Sequence, residues 1–203
     1  IRSMATRGSL GGLAPATSDV VRILDAMGYD VIFIETVGTG QAEVDVVRAA
    51  DTVVIVLVPG FGDAVQTMKA GIMEIGEVFV INKADQGDAD RMLTEVKMML
   101  GLNPKPDDWK PPVLKAVATS GEGIAEVLEA IGAHRRWQEQ HGHIETRRRA
   151  RRRDEIVRLV ELRTRERALE AARRSGRLEI LAEKVFAGEL DPYSAAEEIL
   201  RNL

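Results

Sequence analysis

The chain contains no cysteine, has few aromatic residues and carries no long apolar run. The absence of cysteine among its 203 residues excludes disulfide bonds and thiolate metal sites. No apolar run approaches the roughly 20 residues of a membrane-spanning helix, and the N-terminus has no signal-peptide pattern. Hydrophobic residues still make up 45% of the chain, which is enough for a sizeable core. We therefore expect a cytoplasmic protein with no membrane partner.

Short β-branched runs alternate with helical patterns along the first two thirds of the sequence. Strands are predicted at 31–34, 52–58, 78–81 and 113–117, and helices at 17–27, from Asp63 onward and at about 88–100. This alternation predicts an α/β fold, with a mostly parallel sheet flanked by helices. Because such sheets bind ligands at the C-terminal ends of their strands, we expect the site there.

A short polar motif, Asn82, Lys83 and Asp85, follows the apolar run at 78–81. Guanine presents two donors, N1–H and N2–H2, on one edge, and a carboxylate accepts both, whereas adenine lacks these donors. Asp85 would accept them, Lys83 would lay its methylene stem along the base, and Asn82 would join neighbouring loops. The motif predicts a guanine-binding loop, although three matching residues alone also arise by chance.

A second motif, with Glu35, Gly38 and Gln41, follows the run at 31–34. In nucleoside triphosphatases, the acid at this point holds a magnesium-bound water, and the glycine three positions later lends its N–H to the γ-phosphate. Glu35 and Gly38 fit these two roles. Gln41 either positions the attacking water or is a solvated loop residue. We predict that Glu35, Gly38 and Gln41 form the catalytic group.

The turn after the run at 113–117 supplies the last predicted guanine contact. Ala118 would offer its backbone N–H to guanine O6, with Thr119 beside it, as in the Ser-Ala-x segment of GTPases. An alternative is that Thr119 or Ser120 caps the following helix, with Glu122 in its first turn. Both interpretations can be true of one turn.

Charge changes abruptly after His134. Residues 135–177 contain fifteen arginines and seven acids. Six of these arginines lie at 147–153 and could bind phosphates, but the segment lacks interleaved aromatic residues. Residues 135–177 also carry Ile156, Leu159, Leu162 and Leu169 at helical spacing, and a second amphipathic stretch follows at 178–186. We predict helices that form a dimer or dock a partner, and no nucleic-acid binding. His141 and His143 are expected to be exposed rather than metal ligands.

Several segments together resemble the MeaB/ArgK family of P-loop GTPases, which includes the methylmalonic aciduria type A protein. They read RGSLGGLA at 7–14, ETVGTGQ at 35–41, PGFGD at 59–63, KAGIMEI at 69–75, NKAD at 82–85 and LDPYSAA at 190–196. The resemblance implies a GTP-hydrolysing chaperone that gates adenosylcobalamin loading and protects a B12-dependent acyl-CoA mutase, usually methylmalonyl-CoA mutase. It also implies GTP or GDP as ligand, Mg²⁺ held through water by Glu35, and a homodimer.

One element of such GTPases is absent from the sequence. No Gly-x-x-x-x-Gly-Lys-Ser/Thr loop, which holds the β- and γ-phosphates, is present, and we expect it before Ile1 in a longer protein. Residues 1–134 are then the C-terminal portion of a GTPase domain, and 135–203 a helical extension for dimerisation or partner binding. The alternative function is a helical dimerisation or scaffold module with an incomplete, non-catalytic nucleotide site.

Overall fold

The computed structural model describes residues 1–4, 16–36, 49–60, 72–102 and 109–201. The chain divides into two compact units, Ile1–Arg147 and Arg148–Leu203. The boundary predicted after His134 lies within a helix of the first unit, and a functional division at that point stays a prediction. None of the described helices is both long enough and apolar enough to cross a membrane.

A three-stranded parallel sheet forms the centre of the first unit. Its strands are β1 (Val54–Leu57), β2 (Val78–Ile81) and β3 (Val113–Lys115), in the order β1-β2-β3. The helices are α1 (Ala16–Ala26), α2 (Ile72–Ile75), α3 (Ala89–Leu102) and α4 (Ile124–Gln140), and α5 (His143–Arg174) begins in this unit. Helices that alternate with parallel strands confirm the predicted α/β fold.

The central strand β2 is buried on both faces. Phe79 and Ile81 belong to one hydrophobic cluster, which includes buried side chains of α3. Val78 and Val80 belong to a second cluster, against which side chains of α4 pack. Alternate residues of a strand point to opposite faces, so a continuous apolar run is typical of a strand covered by helices on both sides.

The strand predicted at 31–34 is wrong. Residues 31–36 belong to no strand, although they carry the β-branched and aromatic residues that favour one. Val31 is 61% exposed and Phe33 is 80% exposed. A strand is stabilised by a ladder partner and by packing on its faces, and within the described residues this segment has no ladder partner. Local propensity alone therefore does not form the strand.

The other predicted elements are present with shifted ends. The strand predicted at 52–58 shortens to β1, and the strand predicted at 113–117 shortens to β3 because the Val117 N–H donates to the Glu122 carbonyl instead of continuing the ladder. The helices predicted at 17–27 and 88–100 are α1 and α3. The helix predicted from Asp63 begins outside the described residues.

The second unit contains the rest of α5, followed by α6 (Arg177–Phe186) and α7 (Pro192–Leu200). Helix α6 matches the amphipathic stretch predicted at 178–186, and Gly176, with a φ of 64°, separates it from α5. Asp191 caps α7 by accepting from the backbone N–H groups of Tyr193 and Ser194. The hydrogen bond from the Ser194 hydroxyl holds the pKa of Asp191 below its ordinary value.

The apolar core of this second unit is small. Its buried side chains are Ala168, Ala172, Leu181 and Ala195. Three of these are alanines, which bury little apolar area. Larger apolar side chains stay on the surface of α5, among them Ile156 at 63%, Leu159 at 45% and Val160 at 58% exposure.

Candidate functional site

The loop after β2 begins with Asn82, whose groups bond to both neighbouring strand ends. Its backbone N–H donates to the Leu57 carbonyl at 2.8 Å, at the end of β1. Its side-chain Oδ1 accepts from the Lys83 N–H at 2.8 Å and from the Ala118 N–H at 3.1 Å. Because Ala118 lies in the loop after β3, Asn82 fixes the relative positions of the two loops that were predicted to bind guanine.

Asp85 lies at the tip of this loop and is exposed to solvent. The Ala84 N–H donates to the Ala116 carbonyl at 3.1 Å, and the Gln86 N–H donates to the Lys83 carbonyl at 2.9 Å, so the backbone on both sides of Asp85 is fixed. In the part of the chain that the structure describes, no donor bonds to the Asp85 carboxylate. Both carboxylate oxygens are therefore available to accept from a ligand.

Lys83 has a backbone conformation that non-glycine residues rarely adopt. Its φ is 55°, and among the described residues no other non-glycine residue has a positive φ. This conformation costs an L-residue about 1 kcal/mol relative to glycine, and such costs are concentrated at functional sites. A lysine is present at a position where a glycine would be less strained, which favours a functional role for the lysine side chain.

We expect Lys83→Gly to be more stable than Lys83→Ala by about 1 kcal/mol, since only glycine adopts this φ without steric cost. Both variants lose the methylene stem, so both should bind guanine nucleotide more weakly than the parent protein. Urea unfolding measures the first effect and nucleotide titration the second. An alanine variant as stable as the glycine variant would show that Lys83 is not strained.

The loop after β3 is a closed turn that holds Ala118 and Thr119. The Val117 carbonyl accepts from the N–H groups of Ser120 and Gly121, and Val117 also pairs with Glu122. Since the Ala118 N–H already donates to Asn82, guanine O6 would have to share this donor. Within the described ranges, the Thr119 N–H has no acceptor, which makes it the more available donor.

The alternative interpretation of this turn, a helix cap by Thr119 or Ser120, is wrong. Helix α4 begins after Gly123, which has a φ of 76° and forms no side-chain cap. A Cβ at Gly123 would lie 2.1 Å from the Lys115 carbonyl oxygen, so the turn passes too close to β3 for any other residue. The close approach of two backbone segments, rather than a hydroxyl cap, determines where α4 starts.

The predicted catalytic group lies mostly outside the described residues. Gly38 and Gln41 are not described, whereas Glu35 is exposed at the end of the segment 31–36. The described residues contain no cluster of three or more acidic, histidine or cysteine side chains that could hold a metal ion. The roles of Glu35, Gly38 and Gln41 stay predictions.

A buried polar cluster at the opposite edge of the sheet was not predicted. Its members are Glu77, His134 and Gln138, with Thr52 and Trp109 beside them. The Thr52 hydroxyl lies 2.9 Å from His134 Nδ1. The spacing of Val127, Ile131, His134 and Gln138 along α4 places all four on one helical face, and this pattern could have revealed their burial.

His141 and His143 lie at the turn between α4 and α5. His141 is exposed, as predicted, whereas His143 is partly buried because its ring stacks on that of Trp137, with 4.9 Å between the ring centroids. His141 Nδ1 lies 2.8 Å from the Trp137 carbonyl oxygen. Both side chains thus have structural contacts.

Comparison with known proteins identifies the family. A family model described as the methylmalonyl Co-A mutase-associated GTPase MeaB matches residues 1–173. The chain belongs to the MeaB family. The resemblance inferred from the sequence motifs is confirmed. A relative from Pyrococcus abyssi, named as a GTPase, is 49% identical over 206 residues, which cover 100% of this chain and 63% of that protein.

Two further matches agree with this family. The methylmalonic aciduria type A homolog of mouse mitochondria is 32% identical over 206 residues, which cover 99% of this MeaB chain and 49% of the mouse protein. The crystal structure of a LAO/AO transport system kinase has the same fold, with a TM-score of 0.67 at 24% identity, over 90% of this chain and 60% of that one. The chain thus spans less than two thirds of each of these three proteins.

Proposed function

We propose that the protein that carries this chain is a cytoplasmic, GTP-hydrolysing chaperone that gates adenosylcobalamin loading and protects a B12-dependent acyl-CoA mutase of the methylmalonyl-CoA mutase type. The observation that carries the guanine part is the exposed Asp85 carboxylate, which has no donor within the described residues and lies in a loop that Asn82 fixes. The family description, mutase-associated GTPase, supports the client.

Each described residue of the guanine site has a separate role in this proposal. Asp85 accepts N1–H and N2–H2 of guanine, which excludes adenine. The Lys83 stem covers one face of the base, and Asn82 holds the two loops together. Guanine O6 accepts from the N–H of Thr119, or from Ala118 if that N–H is shared with Asn82.

Hydrolysis requires groups beyond the described residues. The Asp85 carboxylate offers acceptors for the base, whereas the sequence contains no Gly-x-x-x-x-Gly-Lys-Ser/Thr loop for the phosphates. In the proposal, Glu35 would hold Mg²⁺ through a water, the Gly38 N–H would contact the γ-phosphate, and Gln41 would orient the attacking water. Mg²⁺, when bound, neutralises charge that develops on the phosphates.

The apolar surface of α5 supports a homodimer. Ile156, Leu159 and Val160 line a shallow groove together with Arg163 and Arg167. Exposed apolar side chains at helical spacing, on a unit whose own core is small, favour coverage by another helix. A second copy of the chain presents the same stripe, so a symmetric pair covers both stripes at once.

The variant Gly38→Ala tests the chaperone function. A methyl group at this position should hinder approach to the γ-phosphate, so we expect GDP binding to persist while GTP hydrolysis falls about tenfold or more. The variant should also lose GTP-dependent protection of the purified mutase, measured as the rate at which mutase activity declines during turnover.

Gly101→Ala is the matched control, because a Cβ at Gly101 in α3 meets no atom within 4 Å. This variant should hydrolyse GTP and protect the mutase normally. If the parent protein with GTP leaves the decline of mutase activity unchanged, the chaperone proposal is wrong even where GTP binding is intact.

A further inference from the structure

Glu77 is a buried carboxylate at the N-terminal edge of the sheet, opposite the guanine loop. It is 4% exposed and immediately precedes β2. Its Oε2 accepts from the Val53 N–H at 3.1 Å, and its Oε1 lies 2.5 Å from Arg147 Nη1 and 3.6 Å from His134 Nε2. Its carbonyl accepts from the Trp109 indole N–H at 2.9 Å. One residue thus connects the starts of β1 and β2, the segment before β3 and the first turns of α5.

Strand β2 is held at both ends by polar contacts of the residues that flank it. At its start, Glu77 binds Val53 and Arg147. At its end, Asn82 bonds to Leu57 and Ala118. The four residues between are buried and paired in register with β1, and the last three of them are also paired with β3. The five residue steps from Glu77 to Asn82 span roughly 16 Å, and close-packed interiors transmit displacement rather than absorb it.

Arg147 is distinct from the other arginines of the 147–153 segment in that its guanidinium reaches this buried carboxylate. Its side chain is 36% exposed, whereas that of Glu77 is 5% exposed. At the start of α5, the Thr146 hydroxyl donates to the Gly142 carbonyl at 3.2 Å. Removal of Arg147 would leave Glu77 buried and without its closest cation, which is strongly unfavourable.

We propose that the Glu77–Arg147 ion pair is a coupling joint, meaning a contact through which the first turns of α5 and the guanine loop affect each other's position. The pair fixes the position of β2, and β2 in turn carries Asn82 and Asp85. Displacement of α5 at this point shifts β2 and weakens guanine binding. By reciprocity, a bound guanine nucleotide stabilises the ion pair and the start of α5. This inference rests on the proposed guanine site, and Glu77 and Arg147 act in it as positioning residues.

The variant Arg147→Met tests the joint in the full protein. We expect its GDP affinity to fall about tenfold, within the range of known couplings between sites. Its urea midpoint should fall as well, because a buried charge has lost its partner. Arg147→Lys, which keeps the charge, should recover most of both losses. Arg152→Met is the matched control, since Arg152 is exposed in the same segment, and it should change neither quantity.

The double variant Glu77→Gln/Arg147→Met separates positioning from stability. The glutamine keeps an acceptor for the Val53 N–H and removes the buried charge, so the urea midpoint should recover. The ion pair stays absent, so GDP affinity should remain low. Hydrogen exchange of the Ala118 amide, measured without nucleotide, should be faster in this double variant than in the parent protein, because Asn82 is no longer held in place.

Three outcomes overturn the coupling joint. The first is an unchanged GDP affinity in Arg147→Met. The second is a double variant that recovers GDP affinity together with stability, since the effect would then come only from the buried charge. The third is unchanged Ala118 exchange in the double variant. If the parent protein fails to bind GDP, the proposed function fails, and the Ala118 exchange still decides whether the joint exists.

Discussion

Replacement of Asp85 by asparagine is expected to weaken GTP binding by on the order of 2 to 4 kcal/mol, or roughly 30- to 1,000-fold. In the proposed site the Asp85 carboxylate accepts two guanine donors, and the backbone on both sides of Asp85 is fixed by hydrogen bonds. Asparagine offers one acceptor and one donor group, so it mismatches the guanine N2–H2. Xanthine carries a carbonyl at that position, and the variant should therefore gain affinity for xanthosine triphosphate.

Calorimetry with both nucleotides measures this change of base. Asp88→Asn is the matched control, because Asp88 is an exposed acid three residues further along the chain. It removes the same charge and should leave GTP affinity within about twofold, given solvent screening. Unchanged GTP binding in Asp85→Asn would show that another group reads the base.

The double variant Leu159→Asp/Val160→Asp is expected to convert the proposed dimer into a monomer. These side chains are 45% and 58% exposed on α5, and in the proposed dimer they lie against the other copy. Burial of two added carboxylates in this apolar stripe costs several kcal/mol and should oppose association. The proposed guanine site lies in the first unit and should keep its GDP affinity. Analytical ultracentrifugation gives the mass of the species.

Arg165→Asp is the control for this second variant. It makes the same change in net charge, and its position in the helical repeat is on the opposite side of α5 from Ile156 and Val160. The control should stay dimeric. A dimer that survives Leu159→Asp/Val160→Asp, together with RNA binding that weakens steeply as salt rises, would favour the nucleic-acid interpretation of the Arg-rich segment.

The central strand and its loop could be predicted from sequence because their determinants are local. A run of four apolar residues at 78–81 is continuous since both faces of β2 are covered, and the polar motif begins where the run ends. The segment 31–34 has a similar composition, yet Phe33 is exposed and no strand forms. Composition indicates only the propensity of the residues to form a strand, whereas a strand also requires a partner in the sheet.

The start of α4 and the buried polar cluster depend on contacts that are distant in sequence. Gly123 is required by the Lys115 carbonyl, eight positions earlier, and no local cap signal marks it. Glu77 and Arg147 are 70 positions apart, so an ordinary charged residue in each place gave no reason to expect a buried ion pair. Charged residues are mostly exposed, and the burial of a charged residue can be predicted from sequence only when its partner is known.

Equilibrium binding of GDP and of ADP to the protein that carries this chain tests the guanine site most directly. The two ligands share the ribose and diphosphate, so their difference isolates the base. We predict that GDP binds at least about a hundredfold more tightly than ADP, because adenine leaves the Asp85 carboxylate without its two donors. Equal affinities for GDP and ADP would contradict a guanine site formed by Asn82, Lys83 and Asp85.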